Sequence, residues 1–134
     1  MQAINRTTLV AYVARDPELR FLSDETQVCV FAVATNDRRR AAAGNYLLFT
    51  TWFKIIATGD LAERAHKRLR KGNLVYVEGR LRVTEYFDKN EDLRCWIEVM
   101  ADKVELIPRA TAQEESEMGI TQPAKSRARS GGAA

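Results

Sequence analysis

The sequence predicts an all-β domain: a five-stranded barrel with one helix between strands three and four. Two patterns carry this expectation. Five short runs are rich in β-branched and aromatic residues, the last two of them with period-two alternation, and one capped helical stretch sits between the third and fourth. The 134 residues are 46% apolar, which suits a single domain with a hydrophobic core and leaves little room for two.

Thr7–Val13 reads as strand one, and Asp16-Pro17 ends its pairing because proline has no N–H to donate. Gln27–Thr35 reads as strand two. It is apolar on both parities, which suits a strand covered on one face by the core and on the other by a neighbour or subunit. Asn36–Tyr46 is polar, basic and contains a Gly-Asn step, so a long loop is expected before strand three at Leu48–Ala57. The helix is expected over Asp60–Lys71, with Asp60 and Glu63 as a capping box and Gly72 as the left-handed C′ residue. Leu61, Ala65 and Leu69 recur every four residues and form its packing face. Leu74–Val83 reads as strand four, with Val75, Val77, Leu81 and Val83 on one side. The polar turn Asp88–Asp92 leads to strand five at Arg94–Met100. This order is the layout of an OB-fold barrel and excludes helical bundles and doubly wound α/β folds. The domain is expected to span residues 1–109. From Ala110 to Ala134 large apolar residues are almost lacking, so a disordered tail is expected there.

The formal net charge of +3 is unevenly spread. Between Arg38 and Arg82 there are eleven Lys/Arg against three acidic residues, a local +8 that suits a polyanion partner. Apolar runs are too short to cross a bilayer and Met1–Asn5 lacks the layout of a signal peptide, so a cytoplasmic protein without membrane association is expected. Cys29 and Cys95 match no CxxC spacing and read as two reduced structural thiols. The single histidine, His66, lies on a Lys/Arg-rich helix with no ligand partner at metal spacing, and no Gly-rich phosphate loop occurs. No catalytic residue, metal or cofactor is expected.

Strand parity instead points to a binding face. Trp52 and Lys54 share one side of strand three, with Phe53, Ile55 and Ala57 opposite. Arg80, Arg82 and Tyr86 share one side of strand four and its hairpin. An exposed ring beside a cation is what a single nucleic-acid strand requires, because bases stack while phosphates are neutralised. Trp96, on strand five, reads as structural.

Four segments in order resemble the bacterial single-stranded DNA-binding protein (SSB) family: Asp16-Pro17-Glu18-Leu19-Arg20, Phe31–Thr35, Trp52 through Glu63, and Leu69–Gly72 leading into Val75–Leu81. The resemblance covers about Ile4 to Ile107. It implies sequence-tolerant binding and protection of single-stranded DNA in replication, recombination and repair, by a nucleoid-associated homotetramer. It also implies stacking on Trp52 and Tyr86, with Lys54, Arg82, Lys71, Arg20 and Arg6 tracking phosphates.

Three departures stand out. Arg38-Arg39-Arg40 occupy the loop where many relatives carry a stacking Trp, Thr58 replaces a commonly aromatic residue, and the chain ends on Lys125–Ala134 rather than an acidic, Phe-terminated peptide. The first two shift binding toward charge, with Arg38, Arg39 and Arg40 as candidate contacts; the third puts recruitment of other proteins through the C-terminus in question. A protein-interaction OB module and an RNA binder are the competing readings.

Overall fold

The computed structural model describes residues 2–108, so the tail expectation for residues 110–134 lies outside the described residues. Six strands and one α-helix follow in the order β1 (Thr7–Val13), β2 (Glu18–Phe21), β3 (Gln27–Arg40), β4 (Tyr46–Thr58), α1 (Gly59–Arg68), β5 (Leu74–Phe87) and β6 (Leu93–Ile107). They form one sheet of order β1-β5-β6-β4-β3-β2, closed by pairing of β1 with β3. The five expected strands are β1, β3, β4, β5 and β6, and they make the barrel.

The sixth strand, β2, corrects the reading of Asp16-Pro17 as the end of pairing. The proline interrupts the ladder, but the chain resumes as β2 along the edge of β3 that β1 has just left. Tyr12 and Val13 pair with Ala34 and Val33, and Glu18–Phe21 then pair with Val30–Gln27.

Alternating inward residues build the core: Ala11 and Val13 from β1, Cys29, Phe31 and Val33 from β3, Ile55 and Ala57 from β4, Val75 and Val77 from β5, and Val99 from β6. The helix closes one end with Ala62, Ala65 and Leu69, and Leu61 packs at the margin. Its expected ends need correction. Thr58 occupies the N-cap position without a side-chain capping bond, and Asp60 lies in the first turn, where its charge favours the helix dipole. Glu63 makes no capping box: it accepts from Lys67 Nζ at 3.2 Å and from Gln27 Nε2 at 3.4 Å. The helix stops at Arg68 because burial of Leu69 brings the chain back to the barrel. There the Lys71 N–H donates to Asp16 Oδ1, the Gly72 N–H to the Val13 carbonyl and the Arg70 N–H to Asn73 Oδ1. Gly72 is left-handed (φ 93°), as expected of a glycine there, but it serves this turn rather than the helix C′ position.

The expected loop at Asn36–Tyr46 is instead a β-arm. Asn36–Arg40 pair with Thr50–Tyr46, and a short 3-10 turn at Ala42–Gly44 joins the strands. The turn is closed by the Ala41 N–H on the Asn45 carbonyl, and Thr50 Oγ1 donates to Asn36 Oδ1. Polar composition suggested a loop, but a β-rich partner strand supplies a ladder that overrides local propensity.

A second hairpin, β5–β6, also extends past the barrel. Leu81 and Val83 keep the inward parity expected of them, yet both are exposed because no strand covers the inner side of this arm. The same geometry corrects the reading of the thiols. Cys29 is fully buried, and burial pushes its thiol up to about 11, whereas Cys95, on the arm opposite Glu85, is exposed.

The pairing of β5 with β6 slips by one residue next to Gly79: Glu78 faces Lys103 and Gly79 faces Ala101, so Asp102 is extra. The bulge switches the inward parity of β6 from Val99 and Ala101 to Val104. It also brings the β6 backbone so close to Gly79 that a Cβ there would run into the Met100 carbonyl. Because the obstruction is backbone, Gly79→Ala should destabilise the domain by about 1–3 kcal/mol, read as a lowered thermal midpoint in circular dichroism.

Candidate nucleic-acid interface

The outer surfaces of β5, β6 and β4 form one continuous face. The antiparallel β5–β6 and parallel β6–β4 registers set Arg82, Glu98 and Lys54 level across the three strands. Glu98 is only 5% exposed and lies between the two cations. Its Oε1 accepts from Arg82 Nη2 at 2.9 Å, Arg82 Nε at 3.1 Å and Thr84 Oγ1 at 3.1 Å, while Lys54 Nζ stands 3.8 Å from Oε2.

One step along the strands, two residues back from the Lys54–Glu98 pair, Trp52 and Trp96 share this face. Tyr86 reaches diagonally across the hairpin to stack on Trp96, with ring centroids 6.0 Å apart and planes inclined by 22°. Lys54 Nζ stands 5.6 Å from the Trp96 ring centroid, so the ion ladder and the ring row interlock. Tyr86 is 38% exposed, and both tryptophans are half-buried. Trp52, Lys54, Arg82 and Tyr86 are thus brought together as parity predicts.

Trp96, read from sequence as structural, lies on this face, and Glu98 was missed altogether. The signal for both was their parity, since they alternate with Cys95, Ile97 and Val99. An aromatic and a carboxylate in an otherwise apolar run are easily taken for core and solvent-facing residues.

The other candidates are distributed elsewhere. Arg38 and Arg40 extend the outer face along the β3–β4 arm beside Tyr46 and Leu48, whereas Arg39 points to the opposite side with Phe49. Pairing as a strand splits the run by parity. The Arg38 guanidinium lies 4.9 Å from the Tyr46 ring centroid and that of Arg39 5.6 Å from Phe49. Arg6 precedes β1 level with Arg80, held there by Asn5, whose side chain exchanges hydrogen bonds with the Leu81 backbone at 2.8 and 3.0 Å. Arg20 is paired with Glu18 at 3.0 Å and lies opposite Val28, roughly 20 Å along β3 from the Ala34–Trp52 pair. Lys71 sits in the turn before β5, and Arg82 lies roughly 26 Å beyond the start of that strand. Arg20 and Lys71 are therefore separate from the ring row. Among the described residues no group of three His, Cys, Asp or Glu could hold a metal ion, and no helix is long and apolar enough to cross a membrane.

A five-stranded closed barrel, a helix between β4 and β5, and an outer face of rings and cations define an OB-fold protein of the class that takes up single-stranded nucleic acid. The sequence profile of the Single-strand binding protein family matches residues 4–107, and the chain belongs to that family. It is 31% identical to single-stranded DNA-binding protein 1 of Xylella fastidiosa over 120 residues, covering 89% of this chain and 87% of that protein. It is 32% identical over 105 residues to a single-stranded DNA-binding protein of Neisseria meningitidis, covering 78% of this chain but 60% of the longer relative. Among solved structures, an SSB of Plasmodium falciparum in complex with ssDNA superposes with a TM-score of 0.68 at 26% identity, covering 80% of this chain and 96% of that one. A small single-stranded DNA-binding protein from Streptomyces coelicolor gives 0.65 at 25% identity, with the same coverage.

Proposed function

We propose that the chain coats exposed single-stranded DNA, with little regard to sequence, during replication, recombination and repair, and that it does so as a nucleoid-associated homotetramer in the cytoplasm. The observation that carries the binding reading is the row of Trp52, Trp96 and Tyr86, two half-buried rings and one exposed, beside Lys54 and Arg82. Ring faces accept any base, and stacking contributes about 1–3 kcal/mol per base. Cations on the same face track the phosphates without reading sequence. Arg38 and Arg40 extend the cationic track along the β3–β4 arm, and Arg6 adds to it beside β5; Arg20 and Lys71 lie where a strand wrapping further round the barrel would meet them.

Oligomerisation is supported by apolar surface that the single chain leaves open. Val10 on β1 and the run Leu47, Leu48 and Phe49 on the arm are all exposed apolar residues that a subunit contact would cover.

Trp52→Ala combined with Tyr86→Ala should weaken oligo-dT binding by about 1–3 kcal/mol per ring lost, and poly-dT should quench the tryptophan fluorescence of the unaltered protein. Unchanged affinity in the double variant would remove the stacking account. With Arg38 and Arg40 in place of rings, binding should depend steeply on salt. Arg38→Ala with Arg40→Ala should flatten the slope of log K against log salt by about 1.4, from roughly 0.7 per phosphate contact on single strands. Sedimentation equilibrium should return the mass of four chains; a monomer mass at micromolar concentration would rule the tetramer out.

A further inference from the structure

The binding face contains a group that opposes its own ligand. A polyanion site gains nothing from a carboxylate at its centre, yet Glu98 occupies the middle position of the Arg82–Glu98–Lys54 ladder and is flanked by cations from two different strands. The three side chains are unequally placed. The Glu98 side chain is 6% exposed, whereas those of Lys54 and Arg82 are 35% and 54% exposed. The cations present their outer sides to solvent and the carboxylate lies beneath them. Three of the donors on Glu98 converge on one oxygen, and its backbone is paired on both sides, so the carboxylate is held in place beneath the cations.

We propose that Glu98 is an internal competitor for the phosphates, a counter-charge that stabilises the free face and limits how tightly DNA is held. Without a strand, Glu98 relieves the repulsion between Lys54 and Arg82 and restrains both side chains. When a phosphate arrives, the two cations turn toward it or share their donors with it, and Glu98 remains behind. The strand then meets a local charge of +1 where the two cations alone would offer +2. The carboxylate thereby trades affinity for stability of the empty protein and for easier release, which suits a coating protein that must give up its strand to later steps. This rests on the assignment of the Trp52–Lys54–Arg82–Tyr86 face as the DNA site.

Glu98→Gln keeps the volume and an oxygen acceptor for Arg82 and Thr84 but removes the charge, so it separates charge from packing. The expected result has opposite signs in two measurements. The free variant melts at a lower temperature than the unaltered protein, while its oligo-dT affinity at 0.1 M salt rises about fivefold and the slope of log K against log salt steepens by about 0.7, one additional phosphate equivalent on a single strand. Glu98→Asp, which restores the charge, should keep the slope at that of the unaltered protein; a slope about 0.7 steeper than that of the unaltered protein with Asp would overturn the proposal whether or not Glu98→Gln folds. Unchanged or weakened binding in a folded Glu98→Gln, with the slope unaltered, would also overturn it. Lys54→Ala and Arg82→Ala measured alongside distinguish the two levels. If they weaken binding while Glu98→Gln has no effect, only the role of Glu98 fails; if they too leave binding unchanged, the assignment of the face fails with it.

Discussion

The short parallel pairing of β4 with β6, Lys54 with Glu98 through Ile56 with Met100, is the contact on which the other arrangements depend. A parallel ladder cannot be made by a tight turn, so the chain must travel through α1 and the whole of β5 before β6 can return beside β4. That detour places the helix at one end of the barrel, where Ala62, Ala65 and Leu69 close the core. It also sets Val99 and Ile55 side by side in the interior and Glu98 and Lys54 side by side outside. One register therefore determines both the packing of the core and the composition of the face.

The β6 bulge adapts this register to the rest of the barrel. Because side chains alternate with a period of two, one added residue moves a whole segment to the opposite face. Asp102 does this between Ala101 and Val104, so β6 contributes inward residues both where it meets β4 and where it meets the first half of β5. The close approach of strands at Gly79 is the steric counterpart of that adjustment. Beyond it the β5–β6 hairpin leaves the barrel, and its inward-parity residues Leu81 and Val83 become surface.

The face that results balances two demands. Rings and cations gathered on one outer face would repel or remain overexposed if they did not partner one another. Tyr86 stacks on Trp96, Lys54 stands near the same indole, and Glu98 lies between the cations, so the groups partner one another in the free protein. On the β3–β4 arm the same solution recurs with Arg38 over Tyr46 and Arg39 over Phe49. Arginine in such a pairing retains donors for a phosphate while its plane covers a ring.

Local pattern was enough to identify the barrel strands, the helix and its packing face, because alternation and four-residue spacing are properties of short segments. The same alternation identified Trp52 with Lys54 and Arg82 with Tyr86. What depended on distant partners was not legible. The ladder at Asn36–Arg40 comes from Tyr46–Thr50, β2 comes from a vacant edge of β3, and the end of α1 comes from the demands of Leu69, Asp16 and Val13. Trp96 and Glu98 were visible as residues but not as members of the face, since only the joint register of β4, β5 and β6 brings them beside Lys54 and Arg82. Sequence by itself determined which side faces outward over Trp52–Ala57, Leu74–Val83 and Arg94–Met100; tertiary structure added β2, the β3–β4 arm and the bulge at Asp102 and decided which outward residues meet, because alternation belongs to a short segment whereas its neighbours are set by the closure of the barrel.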